Sequence, residues 1–206
     1  MVSNALQTEE FVAGFLAARQ ESSSTYEPRE DTFLMLGALA DLRLQGLRVL
    51  DVGTGSGILA AYCASRGADV TASDTDIGTI EGLKSVAGRL AITIRLICSD
   101  LFSKIDGHFD VIVFNPPYLP SRKFEDRAVD GGKHGTYIIN RFLNQIGRHL
   151  SENGFALLLT SSLNRPEQLE MSHPDLNLEM VRQESLFFET LYVLSVTRKG
   201  TTGSHG

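Results

Sequence analysis

The chain has 206 residues, 42% hydrophobic and 21% charged, with 19 basic residues against 25 acidic ones and a formal net charge of −6. This is ordinary composition for one globular domain and excludes a disordered, collagen-like or disulfide-stapled chain. The acidic balance, with a pI near 5.4, argues against a generic binder of duplex nucleic acid, which carries a basic face.

In chain order, the first expected element is a helix capped by Thr8, with Glu9 and Glu10 in its first turn and Phe11, Phe15 and Leu16 at helical spacing. Ser22-Ser-Ser-Thr25 breaks that pattern, and a second helix is expected from Asp31 to Leu44 with Gly46 as its stop. Short apolar strands follow at Val49–Val52, Val70–Ala72, Ile92–Ile97, Val111–Phe114 and Phe155–Thr160. Helices are expected between the first three at Ile58–Arg66 and Ile77–Leu90, and before the fifth at Tyr137–Leu150, with Gly67 and Gly154 at handovers from helix to strand. Such alternation of continuous apolar strands with helices implies an α/β fold, a parallel sheet covered on both faces. Met180–Glu184 and Leu191–Thr197 lie close enough for a C-terminal antiparallel hairpin at one edge.

Cys63 and Cys98 form no C-x-x-C pair, and the five histidines show no metal spacing, so reduced thiols and no metal site are expected. The aliphatic stretch Phe155–Leu159 is far shorter than the ~20 residues a bilayer requires, and Glu9 and Glu10 stand where a signal peptide would be basic. A soluble, cytoplasmic protein is the expectation.

Two motifs carry chemistry. The first is Asp51-Val-Gly-Thr-Gly-Ser-Gly57, at the turn from strand into helix. Gly53, Gly55 and Gly57 permit a tight turn and close approach of backbone to ligand. A dinucleotide fingerprint needs a third glycine where Ile58 stands, and a P-loop needs a following Lys that is absent. The pattern resembles the first motif of S-adenosylmethionine methyltransferases with a Rossmann-like sheet. The resemblance implies that Asp51 serves the cationic end of the cofactor and the loop amides. It gives Asp74, at the next strand end, the ribose hydroxyls, with Asp76 as a weaker rival, and it gives Asp100 the adenine amine. The second motif is Asn115-Pro-Pro-Tyr118, after the fourth strand. A planar NH₂ group is a poor nucleophile, because its lone pair is delocalised. The Asn115 side-chain oxygen and the Pro116 carbonyl can each accept one N–H of it, and Tyr118 can pack on its flat face. Asn-Pro-Pro-Tyr is a signature of methyltransferases acting on adenine, cytosine and glutamine.

Tyr26-Glu-Pro-Arg-Glu-Asp-Thr-Phe33, the glycine loop, Asn115-Pro-Pro-Tyr118, Gly131-Gly-Lys-His-Gly135, Arg141-Phe142 and Glu189-Thr-Leu-x-Val-Leu194 together resemble the HemK-type protein glutamine methyltransferases, in particular their archaeal and eukaryotic branch. The resemblance implies a Rossmann-like open seven-stranded sheet and S-adenosylmethionine as cofactor. The implied substrate is the Gln of the Gly-Gly-Gln loop of a class-1 translation release factor. Pro28 and Thr32 would line the cofactor pocket, and the segment around Tyr26 would help cover it. Val129-Asp130 departs from an aromatic residue common in the family before Gly-Gly, on the substrate-side loop. A small zinc-binding activator protein is the implied partner, paired along the edge strand 91–97, since an apolar open edge is a liability. The expected organisation is a helical extension over 1–25, the methyltransferase domain over 26–199 and a frayed tail over 200–206. An adenine-N6 nucleic-acid methyltransferase, with a basic groove at Arg122, Lys123 and Arg127, and a protein lysine methyltransferase are the enzymatic alternatives. A cofactor-binding scaffold subunit is the non-enzymatic one.

Overall fold

The computed structural model describes residues 4–19, 28–119 and 135–200. Expectations for Ser22–Thr25, Tyr26, Arg122, Lys123, Arg127, Val129-Asp130, residues 131–134 and residues 201–206 lie outside the described residues. The elements are α1 (Asn4–Ala18), α2 (Glu30–Ala40), β1 (Arg48–Val52), α3 (Ile58–Ser65), β2 (Asp69–Asp74), α4 (Ile77–Arg89), β3 (Arg95–Cys98), β4 (Phe109–Phe114), α5 (Tyr137–Ile146), β5 (Leu150–Ser161), α6 (Pro166–Ser172), β6 (Leu176–Ser185) and β7 (Thr190–Arg198).

The seven strands form one sheet in the order β3-β2-β1-β4-β5-β7-β6. β1 pairs in parallel with β2 and β4, β2 with β3, and β4 with β5, whereas β7 runs antiparallel to both β5 and β6. Strand order therefore reverses between β1 and β4, the switch point where open α/β sheets place ligands beyond the carboxyl strand ends.

Period-two alternation divides the core into two layers. Val49, Val111, Val113, Leu157 and Leu159 face α1, α2, α3 and α4. Leu50, Val52, Ile112, Phe114 and Leu158 face α5 and α6. α5 turns Ile139, Phe142, Leu143 and Ile146 inward at helical spacing, and Phe142 stacks on Phe102 with ring centroids 5.4 Å apart. α1 joins the first layer through Phe15, which is fully buried, and through Phe11, whose ring meets Tyr62 edge-on at 5.3 Å. The Arg182 guanidinium bonds the Asp41 carboxylate at 2.6 Å and ties α2 to β6.

Several element limits differ from expectation. Thr8 is no cap: α1 begins at Asn4, because Ala5, Leu6 and Gln7 are good helix formers, and the Thr8 hydroxyl lies 3.4 Å from the Tyr62 hydroxyl. α2 stops at Ala40, not Leu44. The chain then turns, and Gly46, at φ +77°, donates its N–H to the Gly67 carbonyl as it swings into β1. Gly67, at φ +82°, does stand at the handover from α3 to β2, just after the Arg66 cap. Gly154 is not at a handover, since α5 ends at Ile146 and β5 already begins at Leu150. It lies where the β4–β5 register shifts, with the Phe109 carbonyl oxygen 2.6 Å from where a Cβ would stand. β3 is only four residues long, because Ala91, at φ +54°, and the next three residues form the descent from α4. α6 and the 3-10 turn Ser162–Asn164 were not foreseen in the sequence.

Candidate active site

β1 delivers Asp51 beneath the glycine loop. Its carboxylate, 1% exposed, accepts the Thr54 hydroxyl at 2.6 Å and the Ala60 N–H at 3.1 Å through Oδ2. The residue thus fastens the loop to α3. Burial pushes its pKa up to about 7, against the opposing pull of those two hydrogen bonds.

Gly53 and Gly55 sit at φ +61° and +52°, which a side chain would strain, and a Cβ at Gly55 would meet only the Gly53 oxygen at 3.9 Å. Their backbone thus presents an open cradle. Gly57 does a different job: a Cβ there would collide with the Leu83 side chain, so the loop lies directly on α4.

At the end of β2, Asp74 accepts the Gly55 N–H and the Asp76 N–H, one on each oxygen and both at 3.0 Å. The carboxylate is thereby held facing the loop. Asp76 caps α4, accepting from the N–H groups of Gly78 and Thr79 and from the Thr79 hydroxyl. Both acids are thus engaged, Asp74 by the glycine loop and the Asp76 N–H, Asp76 by the start of α4. Asp100 follows β3, and its Oδ2 bonds the Arg141 guanidinium at 2.7 Å, which raises the pKa of Arg141. Thr32 is buried near the start of α2, its N–H donating to Asp31 Oδ1 at 2.6 Å, with half-buried Pro28 just before it.

Asn115 leaves β4 at the switch point, next to Phe114, which pairs with Val52 of β1. Its Oδ1 is buried and has no hydrogen-bond partner among the described residues. An orphaned buried acceptor marks a place where a donor belongs. Pro116 is buried and Tyr118 half-buried. Burial raises the Tyr118 phenol pKa, and the carboxylates of Asp31, Glu189 and Glu30 add to this while Arg29 opposes it. The phenol therefore stays protonated at neutral pH.

Asn164 belongs to neither motif of the sequence, and Gly135 enters only as the end of Gly131-Gly-Lys-His-Gly135. The Asn164 side chain donates from Nδ2 to the Tyr118 carbonyl at 2.7 Å, and Gly135 packs against the same oxygen. The Ser161-x-x-Asn164 spacing is a capping pattern that could have flagged a turn here. Among the described residues no group of three or more His, Cys, Asp or Glu could hold a metal ion, Cys63 and Cys98 are free thiols, and no helix is long and apolar enough to cross a membrane.

Sheet order, open glycine cradle and unpaired amide oxygen define a class, the Rossmann-like methyltransferases that use S-adenosylmethionine. The methyltransferase small domain model matches residues 29–187. The chain belongs to this family and, within it, to the HemK-type protein glutamine methyltransferases. It is 34% identical over 182 residues to a chain of Methanocaldococcus jannaschii named as a protein N5-glutamine methyltransferase, covering 84% of this chain and 91% of that one. It is 32% identical over 163 residues to the methyltransferase HEMK2 of Homo sapiens, covering 71% and 76% respectively. Among solved structures, the E. cuniculi Mtq2-Trm112 complex, described as responsible for methylating the termination factor eRF1, superposes with a TM-score of 0.69 at 27% identity, covering 84% of this chain and 98% of that one.

Proposed function

We propose that this enzyme moves a methyl group from S-adenosylmethionine to the side-chain amide nitrogen of the Gln in the Gly-Gly-Gln loop of a class-1 translation release factor. The observation that carries the reading is the buried Asn115 Oδ1 at the carboxyl end of β4, without a hydrogen-bond partner among the described residues. The names of the relatives support the choice of glutamine over adenine or lysine.

The residues present fit the cofactor. The Gly53–Gly57 backbone would let the methionine end approach, Asp74 would accept from the ribose diol, and the remaining lone pairs of Asp100 would serve the adenine amine. Pro28 and Thr32 line the same pocket, and Asp51 holds its floor. When bound, the cofactor supplies a methyl carbon made electrophilic by its sulfonium.

Asn115 Oδ1 and the Pro116 carbonyl accept the two N–H bonds of the glutamine amide. This would hold the nitrogen for attack: the sulfur–carbon bond would break as the nitrogen–carbon bond forms, and the N–H made acidic by the new charge would pass its proton to solvent, since neither acceptor is a base. As positive charge builds on nitrogen, both acceptors bind it more strongly than they bind the ground state, which is where the acceleration arises. Pro116 and Pro117 restrict the backbone that aims those oxygens. Tyr118 packs on the amide plane. Its phenol, held protonated, is no base for a lysine ammonium, which disfavours the lysine alternative.

A small zinc-binding activator paired along β3 belongs to the same reading. Among the described residues β3 is the outermost strand of its side of the sheet, with no strand paired along its outer edge. The working place is the cytoplasm, where release factors act.

The test is mass spectrometry of a class-1 release factor incubated with enzyme and cofactor. A gain of about 14 Da, one CH₂ of covalent modification, is expected on the Gly-Gly-Gln glutamine. Labelled methyl transfer to an oligonucleotide and none to the release factor would overturn the assignment.

A further inference from the structure

Three segments distant in sequence converge just behind the Asn-Pro-Pro-Tyr loop, on one side chain. Asn164, 1% exposed, donates through Nδ2 to the Tyr118 carbonyl at 2.7 Å. Through Oδ1 it accepts the Ser161 N–H at 2.8 Å, closing the turn that ends β5. Gly135, at φ +70°, leads into α5, and a Cβ there would collide with the Tyr118 carbonyl oxygen and come within 2.8 Å of Asn164 Nδ2. In the same turn, the Ser162 hydroxyl accepts the Thr190 N–H at 3.1 Å, which binds the tip of the β6–β7 hairpin to it.

This arrangement answers a need created by the motif itself. Pro116 and Pro117 have no N–H, so the loop cannot be secured through those two amides. The next carbonyl, at Tyr118, is where a donor can hold it. Misplacing a reacting group by about 1 Å costs roughly 10²-fold in rate, so a loop that aims two acceptor oxygens needs such an anchor.

We infer that Asn164 is a positioning residue for methyl transfer: it clamps the Tyr118 carbonyl and so fixes the direction of the Asn115 and Pro116 oxygens, while Gly135 leaves the clamp the room it needs. The inference rests on the role proposed for the Asn-Pro-Pro-Tyr loop, and its test separates the two. Asn164 must supply a donor and an acceptor at once. An Asp in its place keeps the acceptor for the Ser161 N–H and loses the donor for Tyr118.

The experiment compares Asn164→Asp and Ser162→Ala with the wild-type full chain, with any activator that travels with it. It measures kcat and KM on the release factor, cofactor affinity by calorimetry, and amide hydrogen exchange. For Asn164→Asp, kcat falls at least about tenfold, a partial loss of aim, while KM and cofactor affinity stay within about twofold. Exchange at Tyr118 and Leu119 rises by at least about tenfold without change in the centre of β4, as a local opening requires. Ser162→Ala, which cuts only the hairpin link, loses less than half as much kcat. Unchanged exchange at Tyr118 and Leu119 in a folded Asn164→Asp variant overturns the clamp, whatever the substrate is. Equal losses in kcat and cofactor affinity overturn it too, by showing a structural role only. If Asn164→Asp does not fold, Gly135→Ala takes its place, with the same exchange response expected and the same null result decisive. Altered exchange alongside a wild type inactive on the release factor would uphold the clamp and sink the substrate.

Discussion

Asn115 and Asp51 lie on neighbouring strands but do opposite things with a buried oxygen. Asn115 has no partner for its acceptor among the described residues, whereas Asp51 engages Oδ2 with Thr54 and Ala60. Replacing Asn115 by Ala therefore removes an interaction that strengthens as charge builds. The expected loss is about 10²–10³ in kcat, with cofactor affinity nearly unchanged by calorimetry. Asp51 predicts a pH effect instead. Its folded pKa of about 7 lies above the ordinary 3.8, so the folded state holds the extra proton. Its contribution to stability is fully present below 3.8 and is lost as pH rises to about 7. Asn in its place can accept the same two donors without charge. The difference in melting temperature between Asp51→Asn and wild type should grow in favour of the variant from pH 4 to about 7 and then level off, following the titration of Asp51. A difference independent of pH would contradict this account. A motif gives position and not burial, so the enclosure of Asp51 beneath the loop is legible only in the tertiary structure.

At the scale of the element, α5 shows how much a pattern can carry. Ile139, Phe142, Leu143 and Ile146 make one apolar stripe, legible in sequence without a partner in view. Phe142 lies between Phe102 and Phe114, its ring centroid 4.6 Å from that of Phe114. Truncation to Ala leaves a cavity behind the strand that carries Asn115. A loss of about 3–5 kcal/mol is expected in denaturant unfolding, with activity falling in the surviving folded fraction. Element ends were less legible. Thr8 and Gly46 had the right chemistry for a cap and a stop, yet α1 extends past the first and α2 ends before the second, since good formers and turn bonds on either side decide the boundary. The turn carrying Asn164 escaped notice for a related reason. Its capping pattern was visible, but the Tyr118 carbonyl that gives it meaning lies 46 positions away.

At the scale of the whole molecule, the sheet was readable because its strands are continuous apolar runs and the connections between the parallel ones are of crossover length. What sequence could not show is how little strand the open edge contains, four residues from Arg95 to Cys98. If a partner pairs there, amide exchange over Arg95–Cys98 should slow by tenfold or more on complex formation, with no comparable change in β6 at the other edge. Equal protection of both edges would place the partner elsewhere. The opposite margin has a different character. The turn joining β6 to β7 exposes Phe187 and Phe188 at 92% and 88%, their rings meeting edge-on at 4.6 Å.

Because β7 is threaded between β5 and β6 and not added outside them, the final strand is a wedge rather than a trim. A ribosome making this protein has already extruded the glycine cradle and the proline pair long before that wedge exists. A nascent chain halted short of β7 would carry every chemical group named in its motifs without the strand that β5 and β6 both pair with.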